Sequence, residues 1–498
     1  MKGGGQMQMI DNDLISIQES RILMETARDA QKLLSSYSQD RLDKIVKCMA
    51  ESVDKYAQEL AKISFEETGR GNWEDKYLKN KFASIHLYKH IKDMKCVGIV
   101  GKNDDTKTME IGVPIGVIAA IIPATSPVST TIYNALIAVK SGNAIVFAPP
   151  ICAQKSTKKV IDILVEAAQN SGLPEGAISY LQTVTSLGIK ELIQHKETSL
   201  VLNTGVPEML NLAHQAGKSV IFGGNGSGPA FVEKTAHLEQ AAKDIIMSKT
   251  FDNGMVPATE QSIVVDKCIA SGFKKHMQDN GAYFMTDVEA ESLGNLLFQN
   301  GKHSENCIGK SAIELAKMAG FSVPMATKVL VSEQKYVSDR NPYSKEKLCP
   351  VLAYYIEDDW QNACEKCIEL LLSERHGHTL VIHSNDESVI EQFAIKKPVG
   401  RMLVNTPSSY GSIGATTNLF PALSLGSGSA GKGFSTDNIS PKNLTYIRKI
   451  GYGVTSAESF RSQILSADLS KQTASNNSQA NLIESIVMTI MDQMKNEK

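Results

Sequence analysis

The chain carries no excess of either charge: 52 Lys and Arg stand against 54 Asp and Glu, a net charge of −2 over 498 residues. That balance excludes the electrostatic footprint with which proteins gather nucleic acid or an anionic membrane surface. Cysteine is sparse, eight in all and without regular spacing. No disulfide framework is written there, and the thiols read as reduced, as in cytoplasm. Cys364 and Cys367 form a CxxC inside the helix-like run Asp359 to Leu372. No second Cys/His pair stands near it, so no metal site is expected. Unbroken apolar runs are lacking as well. The uncharged stretch Ile111 to Val139 is interrupted by Pro114, Pro123 and Pro127 and by several Ser and Thr. Lipid tolerates that pattern poorly, and a buried strand, a turn and a buried helix are expected instead. The opening MKGGGQMQMIDND is polar and lacks the apolar core of a signal peptide. No repeat of fixed period occurs.

What is present is enough apolar material, 42% of residues, for a large core. General disorder is thereby excluded, and the length predicts two or three domains. Residues 14 to 92 alternate charged and apolar positions at helical period. The rhythm then changes. Short apolar runs appear at Ile115–Ile122, Ala144–Phe147, Ile178–Leu181, Leu200–Leu202 and Val220–Phe222, with helix-like stretches such as Ser156–Asn170 and Pro207–Ala216 between them. That alternation predicts βαβ units and a parallel sheet covered on both faces. A second series, with Gln261–Asp266, Val329–Ser332, Leu380–Ser384 and Met402–Asn405, predicts a second domain of the same class, the boundary falling between 231 and 240. Cys96–Gly101 and Met109–Val113 flank the turn-rich KNDDTK and read as a hairpin.

The run GGNGSG at Gly223–Gly228 invites a dinucleotide fingerprint but spells GxGxG, and it leads into the strand-like PAFV. The fingerprint fails. A tight turn between strands remains.

Met247–Asp266, MSKTFDNGMVPATEQSIVVD, resembles the nucleophile segment of CoA-acylating aldehyde dehydrogenases. The resemblance extends through ETGRGNWEDKYLKN (Glu67–Asn80), PIGVIAAIIPATSPVST (Pro114–Thr130), GNAIVFAPP (Gly142–Pro150), EKLCPVLA (Glu346–Ala353), GHT (Gly377–Thr379) and PALSLGSGSAG (Pro421–Gly431), all in family order. The family includes the aldehyde dehydrogenase half of bifunctional aldehyde–alcohol dehydrogenases and the aldehyde enzymes of bacterial microcompartments. It implies an α/β fold of two doubly wound parallel-sheet domains with a β-hairpin oligomerisation arm. By that resemblance residues 1–93 are helices of the cofactor domain, 94–113 the arm, 114–234 the NAD-binding domain and 235–420 the catalytic domain. Residues 421–465 return to the cofactor domain and arm. The implied reaction turns aldehyde, CoA and NAD into acyl-CoA and NADH: a thiolate attacks the carbonyl, an Asn side chain and a backbone N–H hold the oxyanion, hydride leaves to NAD, and CoA resolves the thioester.

The chain departs from that pattern at its centre. Where the family has the cysteine after FDNG and two further residues, this sequence has Pro257. Proline supplies neither a nucleophile nor an N–H. Where the family has the oxyanion Asn, it has Ser126. One oxyanion donor is worth roughly 3–4 kcal/mol of barrier, and loss of the nucleophile costs a serine protease about a million-fold. An intact catalytic set is therefore not expected. Cys349 and Cys152 are weaker substitutes, one beside a strand and one at the expected adenosine end; His378 reads as structural. Gly223 stands where hydrolytic relatives carry their glutamate base, which fits the acylating branch. For NAD the resemblance assigns contacts to Thr125, Pro149, Thr204, Gly205, Gly224 and Glu346. Val206 replaces the third residue of the family's TGG turn, so the groove is expected with uncertain affinity. Coenzyme A is the implied co-substrate.

The end of the chain is different again. Residues 466–479 are polar and read as a linker. Leu482, Ile483, Ile486, Val487, Ile490, Met491 and Met494 then form one stripe, about 20 Å long, on an amphipathic helix over 480–498. Such a helix needs a surface. It is similar to encapsulation peptides of microcompartments, which implies a shell-protein partner. The expected protein is a cytoplasmic homo-oligomer, or a subunit mixed with an active paralogue, carried as cargo or scaffold. An active enzyme with another thiol and a non-turnover NAD or CoA binder are the alternatives.

Overall fold

The computed structural model describes residues 11–496 except 225, 227, 300 and 374–376; over 467–477 and at 496 only the backbone is described. The helical rhythm at the start folds as α1 (Asn12–Leu34), α2 (Gln39–Lys55), α3 (Ala57–Thr68), α4 (Trp73–Lys81) and α5 (Leu87–Ile91). Their ends follow from local chemistry. Asp11, Ser38 and Asn72 accept first-turn N–H groups of α1, α2 and α4, and Gly69 ends α3 in the left-handed conformation. The hairpin is β1 (Gly98–Asn103) and β2 (Thr108–Pro114). At its turn the Asn103 side chain accepts from the N–H groups of Asp105 and Thr106.

The first parallel sheet follows as β3 (Val117–Ile121), α6 (Pro127–Lys140), β4 (Ala144–Ala148), α7 (Gln154–Asn170), β5 (Ile178–Tyr180), α8 (Ser186–Gln194), β6 (Thr198–Thr204), α9 (Pro207–Gln215) and β7 (Ser219–Gly223). The strand order is β5-β4-β3-β6-β7. The chain therefore winds outward from β3 in one direction and then from β6 in the other. The uncharged stretch resolves as expected into a buried strand, a turn and a helix, α6, buried along its whole length. Its one cation, Lys140, donates to Asp43 Oδ1 at 2.6 Å and to the Lys92 carbonyl at 2.9 Å. Among the described residues no helix is long and apolar enough to cross a membrane.

The second series gives β8 (Pro229–Val232), α10 (Leu238–Thr250), β9 (Ser262–Asp266), α11 (Ala270–Asp279), β10 (Ala282–Phe284), α12 (Asp287–Leu297), a minimal hairpin of β11 (Phe298–Gln299) and β12 (Lys302–His303), α13 (Ala312–Met318), β13 (Val329–Glu333), β14 (Val351–Glu357), α14 (Trp360–Ser373), β15 (Thr379–His383), α15 (Glu387–Lys396), β16 (Arg401–Val404) and α16 (Ser408–Ser412). Its sheet runs β10-β13-β14-β9-β8-β15-β16. Successive residues of β14 face opposite cores: Val351, Ala353 and Tyr355 join one cluster, Leu352 and Tyr354 the other. The domain boundary expected between 231 and 240 needs correction. β8 pairs with β9 and β15, so the crossing to the second sheet falls in 224–228, within the glycine-rich run. PAFV is apolar, and apolarity alone does not say which sheet a strand joins.

Ala422, Leu425, Ile439 and Leu444 return to the core of the first sheet. β17 (Thr445–Gly451) then completes a three-stranded sheet of order β1-β2-β17. The hairpin, this strand and the tail make a compact unit of their own. The tail is one helix, α17 (Ala457–Asn496), which runs through 466–479 where a linker was expected. No Gly or Pro occurs after Gly453, so a polar composition meets no backbone obstacle to helix.

Candidate functional site

The C-terminal ends of β3 and β6 diverge at the point where the first sheet reverses its winding. A crevice at such a switch point is where open α/β sheets bind ligands. Here it opens into a cavity of about 440 Å³, within the ~300–1,000 Å³ of small-molecule sites. One wall is built by Pro123–Ser126 after β3, Thr204–Glu208 after β6 and Gly223–Gly224 after β7. The other comes from segments that lead into strands of the second sheet: Val256–Ala258 before β9, Glu346 and Leu348 before β14, and His378 before β15. C-terminal strand ends of one sheet thus face N-terminal strand ends of the other. Leu423 and Leu425 of the returning segment close one side.

Of the site residues named from sequence, Ser126, Pro257, Thr125, Thr204, Gly205, Gly224 and Glu346 all line this cavity. Pro149, at the end of β4, lies outside its lining. Glu346 Oε1 accepts from the backbone N–H of Gly226 at 2.7 Å, which fixes the carboxylate at the mouth of the glycine-rich turn. A Cβ on Gly226 would sit 1.5 Å from the carbonyl oxygen of Pro257. The absence of a side chain there is what lets the two loops close together. The turn after β6 is clamped by Asn203, whose side chain accepts from the Val206 N–H at 2.9 Å and donates to its carbonyl at 2.8 Å.

An ionic cluster not legible along the sequence adjoins the cavity through Lys79, which is part of its lining. In FDNG, Asp252 and Asn253 both hold left-handed backbone, φ 48° and 52°, the conformation Asp and Asn tolerate best after Gly. The turn buries the Asp252 carboxylate, which accepts from Lys76 at 3.1 Å, from the Asn72 N–H at 3.0 Å and from Lys79. Burial alone pushes the Asp252 pKa up, but the Lys79 and Lys76 ammonium groups outweigh it and hold it below the ordinary value. Burial brings Lys76 down to about 8. Lys79 also donates to Ser126 Oγ at 2.7 Å. The Ser126 oxygen is thereby an acceptor, and its hydroxyl keeps one proton to donate. Asn253 donates to the Gly309 carbonyl at 2.9 Å, tying a further loop to the same turn.

Among the described residues no cysteine lines the cavity. Cys349 is wholly buried, and burial pushes its thiol up to about 12; a thiol, not a thiolate, is its form at neutral pH. Cys152 is exposed in the turn after β4. His378 lines the cavity but is buried, its ring at 2.7 Å from Thr379 Oγ1, and burial takes its pKa down to about 3. Its carbonyl accepts from Arg401, which also donates to the carbonyls of Gly426 and Thr436 and so pins the returning segment. His303, missed from sequence, enters the cavity from the β11–β12 hairpin. Its ring nitrogens face the carbonyls of Lys347 at 2.7 Å and Ser304 at 3.0 Å. Arg70 and Lys79 supply positive charge to the lining. Both lie in the block Glu67–Asn80, whose pattern was visible while its place at the cavity was not. Among the described residues no cluster of His, Cys, Asp or Glu is arranged to hold a metal.

The aldehyde dehydrogenase family model matches residues 13–288. A solved structure of a probable aldehyde dehydrogenase from Listeria monocytogenes EGD-e is 46% identical, with a TM-score of 0.89 over 91% of this chain and 100% of that one. The succinate-semialdehyde dehydrogenase (acetylating) of Clostridium kluyveri is 33% identical over 88% of this chain and 96% of its own. A propionaldehyde dehydrogenase from the Clostridium phytofermentans fucose utilisation bacterial microcompartment is 28% identical, with a TM-score of 0.78 over 88% of this chain and 98% of that one. The chain spans about half, 49%, of the bifunctional aldehyde-alcohol dehydrogenase of Escherichia coli (strain K12), to which it is 36% identical over 86% of its own length. With the paired sheets, the switch-point cavity and these likenesses in agreement, the chain belongs to the aldehyde dehydrogenase family, among relatives of the acylating kind.

Proposed function

We propose that this protein keeps the groove of a CoA-acylating aldehyde dehydrogenase but not its turnover, and acts as an oligomeric cargo, scaffold or pseudo-subunit of a bacterial microcompartment. The observation that carries the reading is the cavity wall at Val256–Ala258, where Pro257 stands and, among the described residues, no cysteine joins the lining. A thiohemiacetal has no sulfur from which to form. Ser126 retains a hydroxyl proton for an oxyanion, but an oxyanion donor without a nucleophile has no intermediate to stabilise. Cys349, buried and protonated, does not supply the missing group. The microcompartment role draws support from the solved propionaldehyde dehydrogenase of similar fold and from the exposed stripe of α17. The test is NADH formation by the purified protein with aldehyde, CoA and NAD. No rate above the protein-free control is expected, and Pro257→Cys with Ser126→Asn should restore little of it, because the surrounding turn is built around a proline. A rate typical of the active relatives, or an acyl adduct on any cysteine, would overturn the proposal.

A second reading, a binder of NAD or CoA without turnover, is favoured by the groove residues that remain around the cavity: Thr125, Thr204, Gly205, Gly224 and Glu346. If NAD binds, these are the residues to hold it, with Glu346 toward the ribose; the nicotinamide would supply a hydride acceptor. Calorimetric titration with each cofactor separates this reading from a purely scaffolding role.

A further inference from the structure

Away from the cavity, α14 carries Cys364 and Cys367 one turn apart, both buried and unbridged. Lys397, the residue after α15, is itself buried and reaches across to the first of them. Its Nζ lies 2.6 Å from Cys364 Sγ and 3.0 Å from the Cys364 carbonyl oxygen, and it stands 4.0 Å from the centre of the Phe393 ring. Among the described residues no carboxylate lies within ion-pair distance of this amine. A nitrogen–sulfur separation of 2.6 Å is too short for a hydrogen bond. Even the smaller oxygen acceptor keeps an N–H donor at about 2.7–3.2 Å, and sulfur is larger. It is far too long for a direct nitrogen–sulfur bond. A single oxygen atom joined to both partners by ordinary bonds spans such a gap.

We propose that Lys397 and Cys364 form a reversible covalent cross-link through one oxygen atom, a redox-sensitive tie within the second domain. The oxidant is dioxygen. Lys–NH2, Cys–SH and O2 give Lys–NH–O–S–Cys and water. The O–O bond breaks, N–O and O–S bonds form, and the second oxygen leaves as water with two of the three hydrogens from the amine and thiol. Nitrogen and sulfur each lose two electrons, and dioxygen takes the four. Reduction by two equivalents of a dithiol returns amine, thiol and water. The product sits at the sulfenate level of cysteine oxidation, which is the reversible rung.

The tie would join α14 to the end of α15 and enclose β15 and α15 between its two anchors. A cross-link of that kind restricts the unfolded chain and raises stability. It would also fix Pro398, the neighbour of Lys397, which lines a separate cavity of about 350 Å³ together with Leu371, Leu372, Gly377 and Ala430. The oxidation state of the pair would then set how freely that cavity opens.

Peptide mass spectrometry of the full chain, digested after aerobic or anaerobic reducing preparation, tests the proposal. In the aerobic sample the segments holding residues 364 and 397 should be recovered as one species, heavier than their sum by one oxygen and lighter by two hydrogens. Dithiothreitol should separate them and lower the melting temperature. Cys364→Ser and Lys397→Arg should each abolish both the species and the shift, whereas Cys367→Ser should keep them. Unmodified peptides from the aerobic sample, a disulfide between Cys364 and Cys367, or loss of the cross-linked species in Cys367→Ser would each overturn the assignment.

Discussion

Asp252 holds two buried ammonium groups at once, and each of the three charges depends on the other two. Replacing it by asparagine leaves Lys76 and Lys79 buried without an anion. Breaking one side of such a cluster costs about 3–5 kcal/mol, so Asp252→Asn should show a much lower denaturant midpoint in equilibrium unfolding. A change within the error of the midpoint would mean that the cluster contributes nothing net. His383, at the end of β15, presents the opposite case, a titratable ring kept neutral. Burial takes its pKa down to about 4. The unfolded chain binds a proton near pH 6.5 and the folded chain does not until about 4, so this contribution is complete above about 6.5 and is lost as pH falls through that window. His383→Asn should flatten the pH dependence of stability there by about 1.4 kcal/mol per pH unit. Equal slopes for variant and parent would show that the ring protonates inside the fold. Neither role could be read along the sequence, since Asp252 meets Lys76 and Lys79 from more than 170 positions away. Pro257 and Ser126, by contrast, stood out at once, because a motif of fixed spacing marks the position even when the residue has changed.

Strands were the most legible elements. Each apolar run picked out in the two series became a strand to within a few residues, because a sheet covered on both faces demands continuous apolar sequence. The hairpin was legible from its turn. What could not be seen was sheet membership, which depends on pairing between β8, β9 and β15 rather than on β8 itself. The tail differs from its expectation for another reason: polar composition suits a linker and a helix alike, and no Gly or Pro after Gly453 interrupts the helix. Its stripe is exposed at every position, from 49% at Val487 to 68% at Met494. A stripe left this exposed contributes little to the stability of the fold. Deleting residues 470–498 should therefore leave the melting temperature unchanged and, on the cargo proposal, abolish co-purification with shell proteins. Retained co-purification would sink the cargo idea, while a lowered melting temperature would reveal an unseen packing surface.

At the scale of the whole molecule, the sheet β1-β2-β17 exposes Ile99, Tyr446, Ile447 and Ile450. Apolar side chains gathered on a small sheet are a natural seat for another copy of the chain. Light scattering on the intact protein should give a mass of at least two chains, and Ile99→Asp with Ile447→Asp should lower it. A monomer at micromolar concentration would remove the oligomer from the proposal. The charges of the molecule also fall into two kinds that brine tells apart. Pairs such as Arg21–Glu191 lie at the surface, within reach of dissolved ions. The Asp252 carboxylate is completely enclosed, where mobile counterions screen little. Concentrated salt will thus loosen the rim and spare the enclosed Asp252 cluster, so the side of the pocket that Lys79 lines keeps its shape in brine.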